Sequence, residues 1–202
     1  MKTSNKLRNV LLLSTLILSL SASAQPVRPY NLASDVTCIE STYSMIEKNN
    51  DVVSNQERFY QCFPKNFDRF LAIFGYSEAD SGTDGLLAGN EKSYDYLDQF
   101  FKLAISKNQY SNMFQLGVNG HWQVDNVAYL QYLLREFLTS HKNTAIEELD
   151  RLSDRELKSF WFFYFDSQTK LKSVPNEVLS IKDTNARVYN FALSEFNKMF
   201  NN

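Results

Sequence analysis

Hydrophobic residues recur at intervals of three and four along most of the chain, the spacing of helices that bury one face. Such stripes run through five segments, residues 34–49, 67–74, 92–105, 125–140 and 184–200. No convincing run of alternating apolar and polar residues lies between hairpin turns, which is the pattern expected of a surface strand. The main strand alternative is a small hairpin at Asn119-Gly120. The pattern predicts an all-α domain.

The segment 153–166 combines a helix start with an unbroken aromatic run. Ser153 and Glu156 have the spacing of a capping box, and Leu152 and Leu157 that of a hydrophobic staple. Six aromatic residues then follow without a break at 160–165. Because each helical residue turns by about 100°, six in a row cover every side, so the helix needs neighbours all round. We therefore expect an irregular multi-helix bundle, or stacked helical hairpins, around a buried aromatic helix at about 153–166.

Capping residues predict where the other helices begin. Ser54 with Glu57, and Thr144 with Glu147, have the spacing of further capping boxes. Single capping residues are predicted at Ser34, at Asn108, at Asp125, and at either Asp183 or Thr184.

Residues 1–24 have the pattern of an export signal. Basic residues come first, an apolar stretch follows, and Ala22-Ser23-Ala24 is a small-residue cleavage site before Gln25. The apolar stretch is too short to span a bilayer, and no later segment is apolar enough. The sequence predicts cleavage after Ala24 and a single helical domain at 25–202, placed in the periplasm or secreted.

The net charge of the chain disfavours some classes of binding partner. The chain has 21 basic and 23 acidic residues, and cleavage would remove three of the basic ones, leaving a formal charge of −5. A mildly acidic domain is a poor candidate for binding nucleic acid or an anionic membrane.

Two cysteines, Cys38 and Cys62, follow the predicted cleavage site. Because an exported chain meets an oxidising compartment, an even count predicts pairing into a disulfide. The alternative, a catalytic cysteine, usually needs a nearby histidine, and neither histidine lies close in sequence.

The segment 76–90 is rich in glycine and acidic residues. From Asp80, the sixth position of a calcium loop is Gly85 and the twelfth is Glu91, as such loops require. Gly82 stands where a ligand is needed, so we interpret the segment as a solvated loop, with calcium binding as the alternative.

Catalytic and cofactor motifs give little support for an enzyme. The zinc, P-loop, dinucleotide and nucleophile-elbow motifs are missing, so we predict no cofactor and no metal site. His121 and His141 flank a long helix and are predicted to lie too far apart to share a metal. The acidic group Glu147, Glu148 and Asp150 is interpreted as a solvated helix face.

Aromatic residues outside the core stripes are the remaining signal. The chain has 16 Phe and 11 Tyr. Tyrosine and tryptophan near loops are typical anchors of protein interfaces, although they also cover a core from outside. The loop 117–125 is the best candidate contact surface. The predicted binding residues are His121, Trp122, Asp125, Tyr110 and Tyr76.

These features favour an exported, soluble helical protein that binds another protein. The sharpest version is an immunity or inhibitor protein that neutralises a toxin or hydrolase attacking the cell envelope. Two alternatives stay open: a periplasmic hydrolase with its site near His121, and a carrier of an apolar ligand between aromatic helices.

Overall fold

A computed structural model describes residues 31–76 and 83–200. Over these ranges the chain is helical, and no strand occurs in them. The helices are α1 (Leu32–Glu47), α2 (Val52–Cys62), α3 (Phe67–Phe74), α4 (Ser93–Ser106), α5 (Ser111–Gln115), α6 (Asn126–Ser140), α7 (Lys142–Arg151), α8 (Asp154–Phe165), α9 (Asn176–Leu179) and α10 (Ala186–Phe200). The predicted all-α class is therefore confirmed, and the hairpin alternative at Asn119-Gly120 is not adopted.

The aromatic helix α8 begins as the sequence predicts. The Ser153 side chain accepts a hydrogen bond from the Glu156 N–H, and the Glu156 carboxylate accepts one from the Ser153 N–H at 2.9 Å. This reciprocal pair satisfies two amides at the helix start. Five aromatic residues of the run are buried, namely Phe160, Trp161, Phe163, Tyr164 and Phe165. The sixth, Phe162, is 41% exposed, so the expected enclosure on every side is wrong at this one position.

Helix α6 supports the end of α8 through hydrogen bonds. The buried Gln131 side chain donates to the carbonyls of Phe163 and Asp166, the latter at 2.8 Å. The Arg135 guanidinium donates to the Tyr164 carbonyl at 2.7 Å. The last carbonyls of a helix have no partner within it, so these side chains stabilise the C-terminal turn of α8.

The amino-terminal helices pack through rings and a covalent link. Cys38 of α1 and Cys62 of α2 form a disulfide, as predicted, with their Cα atoms 6.1 Å apart. Phe63 stacks on Phe100 of α4 with ring centroids 4.2 Å apart. Phe67 of α3 meets Phe163 edge-on at 5.3 Å, which joins this group of rings to the aromatic helix.

Several predicted capping residues do not cap a helix, and in two cases an asparagine side chain takes the role. Asn31, not Ser34, caps α1. Asn185 accepts from the Val188 N–H at 3.0 Å, so α10 starts after neither Asp183 nor Thr184. Two predicted capping boxes lie inside helices, those beginning at Ser54 of α2 and Thr144 of α7. Asn108 does not cap α5, which follows Tyr110, and Asp125 precedes α6 without a side-chain capping bond.

Two expectations fall partly or wholly outside the described residues. The export signal at 1–24 lies entirely outside them, and the acidic loop at 76–90 lies partly outside them. Over the ranges that are described, no helix is both long and apolar enough to cross a membrane.

Candidate functional site: a tyrosine face and a basic groove

The structure places four of the five predicted binding residues in three separate locations, and the fifth, Trp122, lies in the loop 117–125. His121 lines an open groove beside α8. Tyr76 and Asp125 line a smaller pocket together with Tyr94. Tyr110 lies apart from both, with its ring 5.5 Å from that of Phe137 and its hydroxyl donating to Asn108 at 2.7 Å. The predicted contact loop therefore does not form one surface: His121 faces the groove beside α8, and Asp125 faces the pocket beside Tyr94.

The loop 117–125 is fixed firmly against α8. The Asn119 N–H donates to the Ser159 hydroxyl at 3.0 Å, and the Trp122 N–H donates to the Asp166 carboxylate at 2.7 Å. Gly120 lies so close to the aromatic helix that a Cβ there would come 2.6 Å from the Phe163 ring. Only glycine allows this approach, so the loop is held in one place while it exposes His121.

The groove beside this loop has a volume of about 530 Å³. Its floor is the α8 face that carries Arg155, Lys158, Ser159 and Phe162, spaced as one helical stripe. Its walls are the 119–121 backbone with His121, and Glu195 of α10. We call this the basic groove.

The groove does not assemble a hydrolytic triad. The Ser159 hydroxyl donates to the Glu156 carbonyl at 3.0 Å and accepts from the Asn119 N–H, so it is committed to the backbone. The His121 ring lies edge-on against Phe67 at 5.2 Å, and its Nε2 atom is 3.4 Å from the Gln123 side-chain amide. A nucleophilic serine needs a histidine within hydrogen-bonding reach, which this arrangement does not supply.

A second surface is formed by stacked tyrosines. Tyr94 of α4 stacks on Tyr129 of α6 with centroids 4.3 Å apart, and Tyr129 stacks on Tyr132 at 5.8 Å. The outer members stay accessible: Tyr94 is 44% exposed and Tyr132 is 50% exposed. We define the tyrosine face as these three residues with the adjoining Tyr76.

Carboxylates surround the tyrosine face. Asp98 accepts a hydrogen bond from the Tyr129 hydroxyl at 2.7 Å, and Asp125 lines the pocket beside Tyr94. Within the described ranges, none of Asp95, Asp98 and Asp125 forms an ion pair with a lysine or arginine. The face therefore carries negative charge that no ion pair among residues 31–76 and 83–200 neutralises.

The electrostatics of the tyrosines agree with this geometry. Burial, the hydrogen bond to Asp98 and the neighbouring negative charges raise the pKa of Tyr129 to about 12. Burial, and then the charges of Asp125 and Tyr76, raise the pKa of Tyr94. Both phenols thus stay neutral at physiological pH and present hydroxyl groups and ring faces rather than charge.

The pocket beside Tyr94 has a volume of about 230 Å³. Its base is Asn126, whose buried side chain donates to the carbonyls of Phe74 at 3.0 Å and Ala88 at 3.2 Å. Those two bonds link α6 to the end of α3 and to the segment that precedes α4. The tyrosine face is therefore built on a fixed base, as an interface anchor requires.

The acidic group on α7 is only partly the solvated face that the sequence predicted. Glu147 is exposed, but Glu148 is buried and pairs with Arg151, and Asp150 pairs with Arg187 at 3.2 Å. Among the described residues, no group of three or more His, Cys, Asp or Glu side chains is arranged to hold a metal ion.

Sequence reasoning missed Tyr129, Tyr132 and Phe162. Tyr129 and Tyr132 lie within the hydrophobic stripe of segment 125–140, and Phe162 belongs to the aromatic run for which enclosure is predicted. One feature of the sequence does indicate that Phe162 is exposed. Arg155, Lys158 and Ser159 lie on the same helical stripe as Phe162, and a stripe of polar residues is typical of a solvent-facing side.

Comparison of the chain with models of known protein families, with curated proteins and with solved structures finds no match.

Proposed function

We propose that this chain is an exported binding protein whose tyrosine face docks on a basic surface of a partner protein. The observation that carries the proposal is the exposed stack of Tyr94, Tyr129 and Tyr132, beside carboxylates that form no ion pair with any described residue. Tyrosine contributes large contact area with little loss of side-chain freedom, and it is common at binding hot spots.

The charges and rings of the tyrosine face indicate which partner surface would fit it. A lysine or arginine of the partner gains by lying over a tyrosine ring, and the nearby Asp95, Asp98 and Asp125 supply opposite charge. Exposed Val124, 47% accessible, and Leu86, 55% accessible, offer apolar area in the neighbouring loops. A partner surface with basic residues around an apolar centre fits this description best.

The finer form of the proposal is an inhibitor or immunity protein against a toxin or hydrolase of the cell envelope. It rests on the predicted export signal, the acidic charge and the rigid helical scaffold. Such a protein acts by covering the partner's cleft rather than by chemistry, so a well-supported anchor suffices. The committed hydroxyl of Ser159 makes hydrolysis at the His121 groove the less favoured alternative.

Inhibition assays test this function. The mature chain, residues 25–202, is added to a panel of basic and acidic peptidoglycan-degrading enzymes, and the turnover of purified peptidoglycan is measured. The proposal expects inhibition of a basic enzyme, weakened by added salt because the attraction is electrostatic. Turnover of peptidoglycan by the chain alone would favour the hydrolase alternative instead.

Matched variants assign the effect to the tyrosine face. Tyr94→Ser with Tyr132→Ser removes two exposed rings, whereas Leu179→Ser removes an exposed apolar side chain, 44% accessible, on α9. The double variant should lose inhibition and the control should keep it. Equal inhibition by all three proteins would overturn the assignment. Sequencing the amino terminus of the exported protein checks the predicted start at Gln25.

A further inference from the structure

The face of α8 that its neighbours leave uncovered joins an exposed ring to basic side chains. Phe162 is 41% exposed, while the other five aromatics of its run are buried. Arg155, Lys158 and Ser159 precede it at helical spacing, so all four lie along the floor of the basic groove.

The two basic side chains on the groove floor have no acidic partner within the described part of the chain. Neither Arg155 nor Lys158 forms an ion pair with a carboxylate over the residues described. The nearby acids have partners of their own: Glu195, which lines the groove, pairs with Lys198 at 2.6 Å, and the Glu156 carboxylate accepts from the Ser153 hydroxyl at 2.6 Å. A locally basic groove in a chain of formal charge −2 indicates an anionic ligand.

The shape of the groove is fixed by the surrounding structure. Its wall at 119–121 is held by the bond from the Asn119 N–H to Ser159 and by the contact of Gly120 with Phe163. Its volume of about 530 Å³ lies in the range of small-molecule sites. Such a preformed site binds without first ordering a loop.

We propose that the basic groove binds a small carboxylate with an aromatic or medium-length aliphatic body. The apolar body lies on the Phe162 ring. The carboxylate accepts hydrogen bonds from the Arg155 guanidinium, whose planar fork matches a carboxylate, and from Lys158. This site is separate from the tyrosine face. The chain would therefore bind a small ligand here in addition to the protein partner proposed above.

Binding of defined probes tests the proposal. 1-Naphthoate and octanoate are titrated into the ¹⁵N-labelled chain 25–202, alongside the amines with the same bodies and acetate alone. Both acids should shift the amide signals of Gly120, His121 and Ser159, with dissociation constants of about 1 mM or tighter. Equal shifts from the amines or from acetate, shifts confined to other residues, or no shifts at all would overturn the proposal.

Variants separate the two parts of the site. Arg155→Gln should weaken binding of both acids roughly tenfold, because a charge-assisted hydrogen bond is lost. Phe162→Ser should weaken naphthoate to a similar degree, and Lys182→Gln, at an exposed lysine outside the groove, should leave it unchanged. Circular dichroism checks that each variant is folded. Unaltered binding by Arg155→Gln would contradict the proposed ligand chemistry.

Discussion

The substitution Gln131→Met tests whether α6 stabilises the end of the aromatic helix. Gln131 is 3% exposed and donates to two carbonyls at the C-terminus of α8, those of Phe163 and Asp166. Methionine has a similar length and a similar helix propensity, so the substitution removes the donors while largely keeping the packing.

The expected cost follows from those two acceptors. A buried acceptor left without a donor costs about 1–3 kcal/mol. Asp166 is only partly buried, so water replaces some of its lost bond, and we expect a total loss of about 2–4 kcal/mol in the free energy of unfolding. For a domain of this size, that corresponds to a melting temperature lower by roughly 5–15 °C.

The matched control is Gln99→Met on α4. The side-chain nitrogen of Gln99 is buried and has no hydrogen-bond partner among the described residues, so its removal should change the free energy of unfolding by less than about 0.5 kcal/mol, or stabilise the fold. Urea unfolding followed by far-UV circular dichroism and by tryptophan fluorescence measures both variants. If the two differ by less than about 0.5 kcal/mol, the support of α8 by α6 is refuted.

Three other perturbations have expected outcomes. Replacing Cys38 and Cys62 by alanine opens a link across 24 positions and should cost about 3 kcal/mol in urea unfolding; a loss below about 1 would contradict this. Gly120→Ala should cost about 1–3 kcal/mol because its Cβ would lie 2.6 Å from a ring, whereas Gly89→Ala, with 3.7 Å to its nearest neighbour, should be tolerated in the same assay. The folded chain holds the phenolic proton of Tyr129 more tightly than the unfolded chain does, so its contribution to stability is present below pH 10 and is lost as pH rises toward 12. Urea midpoints measured against pH should therefore fall less steeply for Tyr129→Phe, and equal slopes would count against the burial of this phenol together with its bond to Asp98.

The sequence predicts the architecture well because hydrophobic spacing and caps act locally. Segments 67–74 and 125–140 become α3 and α6 within a residue or two, and the Ser153–Glu156 box forms as expected. The even cysteine count also predicts the disulfide. These features depend on neighbours in sequence or on simple pairing, so one sequence is enough to find them.

The candidate sites are harder to predict because they depend on which side of a helix the fold covers. Six consecutive aromatics suggest complete enclosure, but neighbouring helices leave the side of Phe162 open. The tyrosine face needs Tyr94 of α4 to meet Tyr129 of α6, a contact across 35 positions that spacing within either helix does not indicate. Tyr76 and Asp125 were predicted to bind, and their proximity emerges only when α3 and α6 pack together.

Hydrogen exchange measured by mass spectrometry tests the central claim most directly, with the chain alone and in complex with a basic enzyme that it inhibits. The account predicts slower exchange in peptides covering residues 92–100 and 125–133, which carry the tyrosine face, and unchanged exchange at 153–163 beside the basic groove. Protection confined to 153–163, with no change at 92–100 and 125–133, would contradict it.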